Sequence, residues 1–204
     1  EESILTLDIG ASSIKAGEFV FPGGEGMRLT NFTVREYEEE LSEGTRSVVV
    51  SDLVRRLYSE ERFKARNALL SISGQSAFTR FVKLPPVGEE EGRVRQIVEF
   101  EARQNVPFPM EEVIWDYQLL SDPDSDEMEV MFVVIKNEIV EQITGAVQSA
   151  GLDIQLVDVA PAACYNCVRA NRIGEENCAM VLDIGCRSTN LLFADRTRFF
   201  SRTI

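Results

Sequence analysis

The sequence predicts an α/β protein in two related halves, the second only begun, with a smaller α/β module set into the first. Three observations predict it. The phrase Leu7-Asp8-Ile9-Gly10-Ala11-Ser12-Ser13 returns as Leu182-Asp183-Ile184-Gly185-Cys186-Arg187-Ser188, and an internal echo of this kind argues for duplicated subdomains facing each other. Each copy lies between two short apolar runs, so each reads as strand, tight turn, strand. Strand-like runs elsewhere alternate with amphipathic helical runs, the succession that builds a layered α/β fold.

Residues 3–7 and 13–19 form the first hairpin, and Pro22-Gly23-Gly24-Glu25-Gly26 turns the chain into a third strand over 27–34. The acidic run 36–43 reads as a solvated loop. Leu53 and Leu57 share one face of a helix over 48–58, and 68–73 is an apolar strand. Residues 78–84 alternate as a strand that stops at Pro85-Pro86. A helix opens near Glu89, where negative charge suits the positive end of the helix dipole. It aligns Val94, Ile97, Val98 and Ala102 and ends before Pro107-Phe108-Pro109. Strands over 113–120 and 129–135 flank an acidic loop at 121–127. The helix over 138–150 aligns Ile139, Val140, Ile143 and Val147 and closes at Gly151 as a C-cap, and a strand over 154–159 follows.

This succession places a first subdomain at 1–86, the inserted module at 87–160, and a return helix with its linker at 161–177. The second hairpin reaches residue 194, Asp195-Arg196-Thr197 turns, and a strand over 199–204 ends the chain. Residues 178–204 thus read as the start of a second, incomplete subdomain.

The repeated phrase has the chemistry of a phosphate loop. Gly10 and Gly185 lack a Cβ, so backbone can approach a ligand closely. Turn N–H groups and the hydroxyls of Ser12, Ser13, Ser188 and Thr189 can donate to phosphate oxygens. Asp8 and Asp183 suit Mg²⁺ held through its waters, because that ion keeps its hydration and takes few protein carboxylates. They are also the candidate catalytic residues. Lys15 is placed to neutralise phosphate charge.

With 21 basic and 34 acidic residues the net charge is −13. Nucleic-acid affinity rests mostly on Lys and Arg, so a nucleic-acid partner is not expected, and neither is a basic membrane-binding cluster. No apolar stretch approaches the roughly 20 residues of a membrane span. The chain opens on Glu1-Glu2 without the basic start of a secretory leader. It has four cysteines and no histidine. Buried thiols in a reducing cytoplasm are the favoured reading over a zinc site.

Residues 4–15 resemble the first phosphate motif of actin-like ATPases, and residues 180–195 resemble the second. The segments Phe78-Thr79-Arg80-Phe81-Val82-Lys83-Leu84-Pro85-Pro86-Val87, Glu99-Phe100-Glu101-Ala102-Arg103-Gln104-Asn105-Val106-Pro107-Phe108-Pro109, Val113-Ile114-Trp115-Asp116-Tyr117-Gln118 and Phe200-Ser201-Arg202-Thr203-Ile204 are similar to the PilM family of type IV pilus assembly proteins. The resemblance covers nearly the whole chain. It implies an actin-like ATPase (ribonuclease H-like) subdomain with an inserted small α/β module of FtsA/PilM type and the start of a second actin-like subdomain, within which the chain is truncated.

The same resemblance implies a cytoplasmic protein, peripheral at the inner membrane through its partners. It would bind ATP with Mg²⁺, weakly or not at all when truncated, and grip the N-terminal cytoplasmic tail of the inner-membrane protein PilN. Pilus motor ATPases and a second copy of the chain are further candidate partners. A tail peptide would lie in a groove between the module and the first subdomain. Exposed Phe78, Phe81, Val82, Phe108 and Trp115 would supply apolar contacts, and Arg80, Lys83, Arg95 and Arg103 charge.

Two departures bear on turnover. Cys186-Arg187 stands where the family has small residues, and Ala160 stands before Pro161 where it commonly has an acidic one. A missing carboxylate weakens activation of water, so at most a weak ATPase is expected, and a nucleotide-binding scaffold is favoured. The alternatives are an ATPase with true turnover, a small-molecule kinase using Asp158 or Asp183, and a type II secretion relative that keeps the fold without nucleotide.

Overall fold

A computed structural model describes residues 2–23, 26–42, 44–84, 91–121, 128–195 and 199–204. In chain order the elements are β1 (Glu2–Ile9), β2 (Ser13–Phe21), β3 (Arg28–Glu36), α1 (Arg46–Glu60), β4 (Asn67–Ile72), β5 (Ala77–Leu84), α2 (Glu91–Asn105), β6 (Val113–Ser121), β7 (Met128–Lys136), α3 (Asn137–Ser149), β8 (Asp153–Val159), α4 (Ala160–Ala170), β9 (Ala179–Ile184), β10 (Thr189–Ala194) and β11 (Phe199–Thr203). Hydrophobic periodicity anticipated each of them within a few residues. The expected turns at Pro85-Pro86 and Arg196-Thr197, the helix start near Glu89 and most of the 121–127 loop lie outside the described residues.

The chain forms two compact units. The first comprises residues 1–73, 138–163 and 185–187, and the second the remainder. In the first, a five-stranded sheet has the order β3-β2-β1-β4-β8. β1 pairs antiparallel with β2 and parallel with β4, and β4 pairs parallel with β8. Alternation on β1 seals Leu5, Leu7 and Ile9 into the core, because successive strand residues point to opposite faces. α1 covers that face with Val50, Leu53, Val54 and Leu57, and α3 adds Ile143, Ala146 and Val147. Gly151 at φ +89° closes α3, the left-handed turn its sequence position predicts.

In the second unit, β5, β7 and β6 form an antiparallel sheet in that order. α2 covers one face, packing Val98, Ala102 and Val106 on Val130, Phe132 and Val134. Against the other face lies the sheet β11-β10-β9, where Met131, Leu192 and Phe199 share a core with Phe81, Tyr165 and Val181.

The strand pairing departs from the expected 87–160 module at both ends. β5 belongs with β6 and β7, while β8 is a strand of the first sheet and α3 packs on that sheet's core. Partner choice is a long-range property that local alternation does not encode. The return helix differs too, since Cys164 and Tyr165 of α4 pack in the second unit. Three cysteines expected to be buried, Cys167, Cys178 and Cys186, are exposed, and Cys164 is half-buried. Among the described residues no group of three or more His, Cys, Asp or Glu could hold a metal ion.

Glu18 is a buried carboxyl-bearing residue of the first unit. At 6% exposure, its Oε1 accepts the N–H of Lys64 at 2.6 Å and of Ala65 at 2.7 Å. It thereby satisfies the loop that leads into β4 and holds it against β2. Glu18→Ala leaves two N–H groups there without an acceptor, and is expected to destabilise the protein by about 3 kcal/mol in urea unfolding. Glu18→Gln, which keeps a carbonyl acceptor, loses less.

Candidate functional site

The first loop hangs between β1 and β2. Gly10 N–H donates to the Ser13 carbonyl at 3.0 Å, and a Cβ on Gly10 would sit 3.0 Å from that same oxygen. Any larger residue there would have to push that oxygen aside. Ser12 is exposed and Ser13 half-buried, and neither hydroxyl has a partner among the described residues. Tyr37 braces the loop from β3's end, its N–H donating to the Ser12 carbonyl at 3.0 Å and its hydroxyl to the Gly10 carbonyl at 3.3 Å.

Asp8 projects from the sheet face opposite the core. Lys15 stands directly across the hairpin, and its Nζ donates to Asp8 Oδ2 at 2.7 Å. The lysine expected to neutralise phosphate therefore neutralises Asp8 in this structure. The pair is accessible, with side chains 49% and 38% exposed, so solvent and salt screen it and an incoming anion can compete for the lysine.

Strand register extends this polar row. Asp8 pairs with Ser71 on β4, and Ser71 with Asp158 on β8. The neighbouring row, Ile14, Ile9, Ile72 and Val159, is buried throughout. Lys15, Asp8, Ser71 and Asp158 thus line up across four strands on one face. Asp158 does not cap α4, since its Oδ1 accepts the N–H of the next residue, Val159, at 2.8 Å. Burial raises its pKa above the ordinary aspartate value, and that hydrogen bond opposes the shift only in part. Sequence reasoning had Asp158 as a kinase carboxylate or as a cap of the following helix, and missed Ser71, which only the pairing of distant strands brings alongside.

The second loop repeats the register with different chemistry. Asp183 lies across from Asn190 as Asp8 does from Lys15. Asn190 Nδ2 donates to Asp183 Oδ2 at 2.8 Å, and Thr203 Oγ1 donates to Asn190 Oδ1 at 2.8 Å. Asp183 is therefore oriented by an amide, with no cation against it among the described residues. Gly185 is exposed, Ser188 and Thr189 are half-buried, and Arg187 pairs with Glu40.

The residues expected to meet a partner peptide do not form one surface. Phe78 and Trp115 flank Val134 on the face that α2 covers. Phe81 points to the other face, stacked on Phe200 with ring centroids 5.4 Å apart. Val82 and Phe108 are likewise packed. These apolar side chains were expected to be exposed, but two opposed cores claim them. Arg80 and Lys83 are exposed, and Arg103 pairs with Glu99 at 2.9 Å.

The chemistry of the first loop fits a phosphate group and a hydrated cation. The turn is narrow, two hydroxyls have no partner among the described residues, and a carboxylate and an ammonium stand at its base. The fold is that of the actin-like ATPases. A Bacteroides thetaiotaomicron protein described as having an actin-like ATPase fold and unknown function matches 100% of this chain and 70% of its own, at 11% identity and a TM-score of 0.54. The cytoplasmic domain of EpsL, an inner-membrane component of the Vibrio cholerae type II secretion system, matches 98% of this chain and 71% of its own, at 10% identity and a TM-score of 0.61. The profile of one family, described as type IV pilus assembly protein PilM, matches residues 6–203, and the chain belongs to that family. A chain of a solved PilM-PilN type IV pilus biogenesis complex matches 98% of it at 25% identity and a TM-score of 0.84. The present chain spans 61% of the length of that one.

The raised pKa of Asp158 predicts a pH dependence. The unfolded chain loses this proton near 3.8 and the folded one at higher pH, so stability falls as pH rises through that interval. Asp158→Asn is expected to match the wild type in urea unfolding at pH 3 and to exceed it at pH 7.

Proposed function

We propose that this chain is part of an ATP-binding adaptor of type IV pilus assembly that grips the N-terminal cytoplasmic tail of PilN. The observation that carries the reading is the match, at a TM-score of 0.84 over 98% of the chain, to a chain of a PilM-PilN complex. The first phosphate loop supports the nucleotide part. Gly10 N–H, the Ser12 and Ser13 hydroxyls and Lys15 would hold phosphate oxygens, and Asp8 would hold Mg²⁺ through water. Bound Mg²⁺ would supply charge neutralisation for the phosphates. Asp183, Gly185, Ser188 and Thr189 repeat the motif. Exposed Arg80 and Lys83, with Arg103, would meet the peptide. The protein would act in the cytoplasm, peripheral to the inner membrane through PilN.

Nucleotide serves here as a conformational ligand rather than a fuel. Ala160 puts no carboxylate in the position before Pro161, where one could activate water.

Calorimetry of the chain against the PilN tail peptide is expected to give a dissociation constant of about 1 μM or tighter. A folded chain that binds no peptide overturns the adaptor reading. In a full-length version of the protein, Asp8→Ala is expected to abolish MgATP binding while leaving the circular dichroism spectrum unchanged.

A further inference from the structure

A backbone loop that holds an anion turns its N–H groups toward the ligand and its carbonyl oxygens away. In the first loop most of the carbonyls are already engaged. That of Ser13 accepts the Gly10 N–H at 3.0 Å, that of Ser12 the Tyr37 N–H at 3.0 Å, and that of Gly10 the Tyr37 hydroxyl at 3.3 Å. Only the Ala11 carbonyl is without a donor among the described residues. On the donor side, the N–H groups of Ala11 and Ser12 have no acceptor among those residues. One residue from outside the repeated phrase thus holds two of the loop's carbonyls.

Backbone and side chain of Tyr37 contribute differently. Ser13 pairs with Glu36, so the Tyr37 N–H bond to Ser12 continues the β2–β3 pairing one step, and any residue but proline could make it. The bond to Gly10 needs the phenol. Tyr37 packs against the core of the first unit, which fixes where its hydroxyl reaches. Burial raises its pKa above the ordinary tyrosine value, so the hydroxyl keeps its proton and stays a donor at neutral pH. The C=O of Gly10 and the N–H of Ala11 belong to one planar trans peptide and point in opposite directions. Holding the first toward Tyr37 therefore aims the second away from it. The second loop has no such brace, since the carbonyls of Gly185 and Cys186 accept no hydrogen bond among the described residues.

We propose that Tyr37 is a positioning residue of the first loop, its hydroxyl fixing the Gly10–Ala11 peptide so that the Ala11 N–H donates to a phosphate oxygen. The inference rests on the nucleotide-binding reading above and adds to it a backbone donor and the side chain that orients it. A loop held beforehand in its binding conformation loses less freedom when the ligand arrives. Without the hydroxyl this peptide can turn over, which withdraws a donor from phosphate and presents a carbonyl oxygen instead.

The test compares the wild type with Tyr37→Phe, which keeps the ring and its packing, in a full-length version of the protein. Calorimetry would use MgATP, inorganic tripolyphosphate and the PilN tail peptide as probes, with thermal unfolding alongside. Tyr37→Phe is expected to bind both phosphate ligands about three- to tenfold more weakly and the peptide as the wild type does. In NMR spectra of the wild type, tripolyphosphate is expected to move the Ala11 amide proton downfield, and to move it less in Tyr37→Phe. A hydroxyl with a merely structural role would lower the melting temperature and leave both phosphate affinities unchanged. Wild type that binds MgATP while Tyr37→Phe binds it equally well overturns this inference alone, as does an Ala11 amide that ignores the bound ligand or an equal loss of peptide affinity. Wild type that binds neither phosphate ligand overturns the nucleotide reading and this inference with it.

Discussion

The alternation along β1 is the constraint on which the rest depends. Leu5, Leu7 and Ile9 are fully sealed on one face, and that burial forces Thr6 and Asp8 to the other. β1 is the middle strand, bonded to β2 on one side and β4 on the other, so its register sets theirs. A slip of one residue would bury Asp8 among α1 and α3 and expel three large apolar side chains, which makes the register strongly specified. The position of the candidate site is thus secured by the core rather than by the loop. Gly10, Ser12 and Ser13 need only close the turn, and Tyr37 steadies it.

The two copies of the repeated phrase share a register and differ in their surroundings. Leu7 and Ile9 are 1% and 0% exposed, whereas the corresponding Leu182 and Ile184 are 51% and 77% exposed. Asp8 faces a lysine on a screened surface, while Asp183 is held by Asn190, itself 4% exposed, and through it by Thr203. One carboxylate can exchange its cation for another. The other is fixed in orientation by its hydrogen bond from Asn190. Likeness of sequence has conserved geometry here, and the residues seven positions on have changed the chemistry.

What could be read from the sequence follows the range of the interactions. Helices and strands rest on spacing within a dozen residues, and Leu53, Leu57, Ile143 and Val147 announced their faces through it. Glycine-bearing turns at Gly10 and Gly151 were equally legible, because their cause is local backbone geometry. Pairing of β5 with β7 and of β8 with β4 was not, since it joins segments far apart in the chain with no local trace. Exposure suffered for the same reason: alternation says that Phe78 and Phe81 point to opposite faces, but not that each face is covered. Ser71 escaped notice because nothing beside it in sequence is unusual. Its place beside Asp8 comes from strand pairing, which only folding brings about.

The ends of the β5–β7 sheet have a consequence of another kind. β5 begins at Ala77 opposite Ile135, almost at the end of β7, and paired strands lie about 5 Å apart. The chain therefore departs after β4 and returns at α3 across a gap that a hairpin turn could span. The entropy of closing such an excursion grows only with the logarithm of its length. The segment is in effect a cassette: it can be lengthened, exchanged or passed to another protein while β1 and β4 keep their pairing.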